Sequence, residues 1–143
     1  MTDSKLFLID TNILVYAVDK REENKNLKAK ELMDLCWKGK SRFAISVQNL
    51  AEFTSVSTTK VKLEPMQAHA MVRYIVKFYG FKKLIYSGKT ILSAIEIASE
   101  FNMSFWDSLL AATMKENGIF NIYTENEKDF KMPWINTVNP LKK

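Results

Sequence analysis

Leu6-Phe7-Leu8-Ile9 runs straight into Asp10-Thr11-Asn12, and a second apolar patch, Ile13-Leu14-Val15-Tyr16-Ala17-Val18, follows at once. A continuous apolar run stopped by capping residues marks a strand buried on both faces that ends where a helix begins. That puts Asp10 at the carboxyl end of a central parallel strand, the edge at which open α/β sheets bind ligands. Aspartate is also a good N-cap. From this stretch alone Asp10 reads equally as a helix cap and as a ligand.

Outward from that stretch, the pattern alternates. The spacing predicts a short helix over Asn12–Val18, a solvated turn over Asp19–Asn24 and a longer helix to about Trp37. In the longer helix Ala29, Leu32, Met33 and Cys36 share one face, and Gly39 follows as its stop. Arg42–Ser46 reads as a second strand that feeds directly into a helix over 47–54, where Val47, Leu50, Ala51 and Thr54 share a face. Pro65 suits the first turn of the next helix, in which Ala68, Met71, Val72, Ile75, Phe78 and Tyr79 keep helical spacing up to Gly80. Phe81–Tyr86 is a weaker strand, and Lys89–Phe101 a helix with Ile91, Leu92, Ile95 and Ala98 on its apolar side. Ser104 opens a further helix to Asn117, Ile119–Tyr123 is a strand, and Trp134–Val138 an edge strand. Strands alternating with helices predict an α/β fold: one domain over 1–143, with a central, mostly parallel sheet and helices on both faces.

Composition narrows the class. A chain of 143 residues, 47% hydrophobic and 26% charged, is large enough to bury its own core. No apolar run approaches the ~20 residues of a membrane span, and Met1–Lys5 lacks the layout of a signal peptide. A cytoplasmic protein with no membrane partner is expected. One cysteine, Cys36, and one histidine, His69, leave no disulfide and no site built on thiolates or paired imidazoles. The net charge of +5 favours a polyanionic partner. Lys20, Arg21, Lys38, Lys40, Arg42, Lys60 and Lys62 are candidates to border its path, although solvated turns account for them as well. Trp37, Trp106 and Trp134 sit among apolar neighbours and read as packing.

Acidic residues recur at one kind of address. Asp10 follows the first strand, Glu52 lies about one and a half turns into the helix after the second, and Asp107 lies in the first turn of another. Thr124-Glu125-Asn126-Glu127-Lys128-Asp129 follows a later strand. In a parallel sheet such junctions gather at one edge. Gathered carboxylates repel one another unless something positive sits among them. An oxygen-only set suits Mg2+ or Mn2+, which can activate a water and stabilise a leaving oxygen in phosphodiester hydrolysis. Taken singly, each acid also fits a purely structural role. Glu52 reads as a surface helix residue, though Gln48, Glu52 and Ser55 form a polar stripe. Asp107 completes a Ser104-x-x-Asp107 pattern of capping type. There is no Gly-x-Ser-x-Gly elbow, phosphate-binding glycine loop or dinucleotide turn. An aspartyl-nucleophile phosphatase is disfavoured because Asn12 stands where a second Asp is expected.

Ile9-Asp10-Thr11-Asn12-Ile13-Leu14-Val15-Tyr16-Ala17 resembles the opening signature of PIN domains, in particular the VapC-type toxins of toxin–antitoxin pairs. Ser46–Phe53 is similar to that family's second motif, Phe105-Trp106-Asp107-Ser108 with Ala111-Ala112 to its third, and Ile122–Asn126 with Asp129-Phe130 to its last. The four motifs occur in order across nearly the whole chain. The resemblance implies a metal-dependent ribonuclease with RNA as substrate and Mg2+ or Mn2+ as cofactor. Asp10, Glu52 and Asp107 would be its acidic triad. Thr11 and Thr124 would lie near the site, and Asn12 would hold the first turn. It further implies a homodimer and an antitoxin protein as partner. One position departs: Asn126 stands where many members carry a fourth acid, leaving Asp129 or Glu125 to supply that charge to the metal. A housekeeping nuclease of RNA maturation, or a non-catalytic RNA- or protein-binding module on the same fold, is the alternative.

Overall fold

The computed structural model describes residues 5–142. Strands β1 (Phe7–Ile9), β2 (Phe43–Ser46), β3 (Phe81–Leu84), β4 (Asn121–Tyr123) and β5 (Asn136–Val138) form one sheet. Its order is β3-β2-β1-β4-β5, and every neighbouring pair is parallel. The apolar run read as a two-faced buried strand is therefore the central one, with Leu8 and Ile9 fully enclosed. Parallel neighbours require crossovers; β4 and β5 are joined through a short 3-10 turn, and helices supply the crossovers up to β4. Among the described residues these are α1 (Thr11–Val18), α2 (Glu23–Trp37), α3 (Val47–Thr59), α4 (Pro65–Lys77), α5 (Gly88–Phe101) and α6 (Phe105–Glu116).

The order has one feature that matters for the site. From β1 the chain steps outward to β2 and β3, then returns across the sheet to place β4 on the other side of β1. Connections leave β1 and β4 in opposite directions, so their carboxyl ends open a crevice, the usual ligand position in such sheets.

Alternation along the strands builds two cores. Ile9, Phe43, Ile45 and Phe81 face α1, α2 and the inward residues Phe53 of α3 and Ile75 of α4. Leu8, Ala44 and Ile122 face the other way, onto Leu110, Ala111 and Met114 of α6. Cys36 lies buried in the first core, as its helical position suggests.

Three local expectations are corrected. Helix α3 continues to Thr59, and it buries Gln48, Asn49, Leu50, Phe53 and Ser57 while Ala51 and Thr54 are exposed. The bulk of Phe53, wholly enclosed, sets which face turns inward. On α5 the apolar side points outward: Ile91, Leu92 and Ile95 are 36%, 65% and 53% exposed. That helix packs on α6 rather than on the sheet, and it does so through small residues, with Ala94 against Leu109 and Ala112. Finally, the turn after α1 is not wholly solvated. Asp19 is buried, its carboxylate accepting from Arg21 Nε at 2.8 Å and Nη2 at 2.9 Å.

Candidate active site at the carboxyl edge of the sheet

Asp10 both caps α1 and faces the crevice. Its Oδ1 accepts from the Thr11 backbone N–H at 2.7 Å, and its Oδ2 accepts from the Thr124 hydroxyl at 2.8 Å. The cap and ligand readings thus do not compete, because one oxygen serves the helix while the other turns towards β4. Thr124 is a hub: its Oγ1 also accepts from the Asn126 backbone N–H at 3.0 Å and from Asn12 Nδ2 at 3.4 Å. Asn12 Oδ1 accepts in turn from the Glu125 backbone N–H at 3.3 Å. These bonds tie the end of β1 to the end of β4 across the crevice.

Glu52 arrives from α3. No loop separates β2 from α3, since Ser46 ends the strand and caps the helix, its Oγ accepting from the Gln48 backbone N–H at 3.0 Å. Asn49 completes the turn, its Oδ1 accepting from the Ser46 backbone N–H at 3.1 Å. Its Nδ2 donates to Thr11 Oγ1 at 3.0 Å, and the Thr11 hydroxyl donates to Glu52 Oε1 at 3.0 Å. Asn49 is fully buried. The motif reading passed over it, although a polar residue three positions after a capping serine is a recognisable signal.

Asp107 arrives from α6. Thr90, near the start of α5, donates to Glu116 at the end of α6 (2.7 Å), so the two helices run antiparallel. The first turn of α6 therefore lies at the far end, where Gln48 Nε2 donates to the Trp106 carbonyl at 2.9 Å. Ser104 caps this turn: its Oγ accepts from the Asp107 backbone N–H at 3.1 Å and donates to Asp107 Oδ2 at 2.9 Å. The capping pattern in the sequence is real, and the carboxylate remains half-exposed beside its neighbours.

The three acids sense one another. Burial raises the Asp10 pKa from 3.8 to about 6, opposed by the Thr124 and Thr11 hydrogen bonds and reinforced by the charges of Asp107 and Glu52. Burial likewise raises Glu52, with Asp107 adding repulsion against the hydrogen bonds from Thr11 and Gln48. Asp107 is raised by burial first, then by Asp129. Among the described residues, the groups acting on the triad are hydroxyls, amides and carboxylates. Perturbed acids of this kind cluster at functional sites.

The last segment divides. Glu127–Asp129 is a short 3-10 turn, with Asn126 and Asp129 exposed. Asp129 acts on Asp107. Glu125 is committed elsewhere, to Lys25 Nζ at 2.6 Å and the Tyr16 hydroxyl at 2.9 Å. Of the two residues expected to replace the charge missing at Asn126, Asp129 is the one whose charge acts on Asp107. Trp106 departs from its packing assignment, being 59% exposed beside Asp107. Trp37 does pack, against Phe78 and Phe81. Lys40 and Arg42 lie with Lys5, Tyr79 and Tyr123 around a cavity of about 770 Å³ whose lining includes none of the triad.

The donor chemistry fits a hard divalent cation: oxygen only, and negative. Among the described residues, however, no three Asp, Glu, His or Cys side chains form a group able to hold a metal ion by themselves. Part of the coordination would fall to water, the ordinary habit of Mg2+.

Comparison with known proteins agrees with this architecture. The fold is similar to that of VapC20 from Mycobacterium tuberculosis, a Sarcin-Ricin loop cleaving toxin, with TM-score 0.65, 18% identity, and 85% of this chain and 91% of that one covered. A toxin-antitoxin complex from Klebsiella pneumoniae gives TM-score 0.66 and 20% identity over 94% of this chain and 97% of that one. VapBC2 from Rickettsia felis, bound to a DNA fragment from its promoter, gives 0.66 and 22% over 94% and 98%. No curated protein matches in sequence. Residues 7–132 match the family described as PIN domain, a span that contains the whole candidate site, and the chain belongs to that family.

Proposed function

We propose that the chain is a divalent-metal-dependent endoribonuclease that hydrolyses RNA phosphodiester bonds, and that it is the toxin of a toxin–antitoxin pair. The observation that carries this reading is the gathering of Asp10, Glu52 and Asp107 at the crevice between β1 and β4, where Thr124 holds Asp10, Thr11 holds Glu52 and Gln48 reaches the turn of Asp107. Asp10, Glu52 and Asp107, with Asp129 in place of the acid missing at position 126, would hold Mg2+ or Mn2+. When bound, such an ion supplies an activated water and charge neutralisation at the phosphate.

The remaining roles belong to the chain itself. Thr11 and Thr124 orient the carboxylates of Glu52 and Asp10 through their hydroxyls. Asn12 clamps the β4 end against α1. The exposed indole of Trp106 stands beside Asp107, where an unpaired base would stack. The outward face of α5, with Ile91, Leu92 and Ile95, is apolar surface that a second copy would cover. An antitoxin partner is supported by neighbours that are themselves toxin-antitoxin complexes.

The test is cleavage of a labelled RNA by the purified protein with Mn2+, with and without chelator. Cleavage that disappears with chelator supports the reading. A protein that neither cuts RNA nor binds Mn2+ is instead the non-catalytic module. In the same assay Trp106→Ala should raise KM roughly tenfold with kcat little changed, matching about 1–3 kcal/mol per stacked base. Asn126→Asp should tighten Mn2+ about three- to tenfold in a calorimetric titration, because it adds a charge at the site's rim. Light scattering should give a mass of two chains.

A further inference from the structure

Gln48 has a feature the proposed reaction does not account for. It lies on α3 one turn before Glu52 and is 6% exposed. Its Nε2 donates to the Trp106 carbonyl at 2.9 Å. A carbonyl only accepts, so the atom facing it must be the amide nitrogen. The other atom is therefore the oxygen, and its orientation is determined by chemistry. That Oε1 is a buried side-chain acceptor with no hydrogen-bond partner, and it stands alone in this among the described residues. A buried polar atom left unpaired carries a desolvation penalty with nothing to offset it. In a native protein such an atom commonly marks a place where an ion or water binds at a functional site.

Its surroundings narrow what the missing donor is. Gln48 stands one helical turn before Glu52 on α3 and reaches the Trp106 carbonyl, so its amide sits between Glu52 and the turn carrying Asp107. Carboxylates there only accept while ionised, and they leave Oε1 without a donor. A cation at this cluster has no closed set of three acids to enclose it and keeps waters, whose hydrogens point outward as donors. The geometry points to Gln48 as a water-orienting residue of the metal site, its Oε1 accepting a hydrogen bond from the hydration shell of a divalent cation held by Glu52 and Asp107. This rests on the metal-dependent reading proposed above.

The test is calorimetric titration of Mn2+ into the wild type, Gln48→Met and Gln48→Glu, with thermal melting of each in chelator. Methionine fills the volume and removes both polar atoms. Glutamate keeps an acceptor and removes the donor to Trp106. The expected result is a 10- to 100-fold loss of Mn2+ affinity in Gln48→Met, the usual effect of removing a group that supports a metal's ligands. The metal-free melting temperature should not fall, since an orphaned acceptor goes with the lost bond. Gln48→Glu should retain affinity. The inference is overturned if Gln48→Met binds Mn2+ as the wild type does. It is also overturned if both variants lose affinity alike and melt lower in chelator, for then Gln48 only fastens α6 to α3. A wild type that binds no Mn2+ overturns the metal-dependent reading itself, and this inference with it.

Discussion

Asp10→Asn is expected to reduce RNA cleavage by at least about 10²–10³-fold, the scale seen when one electrostatic contact to a transition state is removed. The same substitution should make the metal-free protein more stable at neutral pH. Asparagine keeps an oxygen to accept from the Thr11 backbone N–H, so the α1 cap survives. What it removes is a partly buried charge. The sign follows from linkage: the folded chain raises the Asp10 pKa from 3.8 to about 6, so it favours the protonated form. That contribution to stability is present in full below 3.8 and is lost as pH rises through about 6. Above 6 the ionised carboxylate destabilises the fold by about 3 kcal/mol, at 1.36 kcal/mol per pKa unit. Asp10→Asn should relieve most of this, raising the metal-free melting temperature by about 5–10 °C at pH 7 and by little at pH 4. An Asp10→Asn protein that cuts RNA at the parental rate would remove Asp10 from the site.

The second large effect is the response to metal. Mn2+ at about 100 times its dissociation constant should stabilise the wild type by about 2.7 kcal/mol, through preferential binding to the folded state. For a chain of this length that is a rise in melting temperature of about 5–10 °C. The rise should vanish in Asp10→Asn. It should also shrink as pH falls below about 6, because protons then compete with the ion for Asp10. Differential scanning calorimetry across pH 4 to 8, with and without Mn2+, measures both variables together. A rise that is the same in Asp10→Asn as in the wild type would mean that the ion binds elsewhere.

Much of this architecture was legible in the chain before any coordinates. Leu6–Asn12 announced a two-faced buried strand and a cap, because a run of apolar residues ended by Asp-Thr-Asn has few other physical outcomes. Asp10, Glu52 and Asp107 stand at comparable junctions in the sequence, and the resemblance named them as one triad; for Asp107 it is the antiparallel return of α6 along α5 that brings it to the edge. Which way a helix turns was harder to read. The apolar positions of α5 are periodic, yet Ile91, Leu92 and Ile95 face outward. Periodicity reports that a face exists, and it is silent on whether the sheet, a neighbouring helix or a second molecule covers it.

The site divides in the same way. Residue types alone determined the chemistry at the crevice: acids at strand ends, hydroxyls beside them, no thiolate and no paired imidazole. Their coupling was decided only by the tertiary fold. Thr124 reaches Asp10 across 114 positions, and Gln48 reaches Trp106 across 58. No local rule encodes such contacts, because each depends on which strands lie side by side and how α6 returns along α5. Glu125 makes the same point in reverse: adjacent in sequence to the motif, it is drawn off by Lys25 and Tyr16, while the charge of Asp129 acts on Asp107. The chain's composition and spacing thus determined an acid at the end of the central strand and further acids at comparable junctions. Strand order and helix packing decided which of them come together, and desolvation there raised the pKa of Asp10.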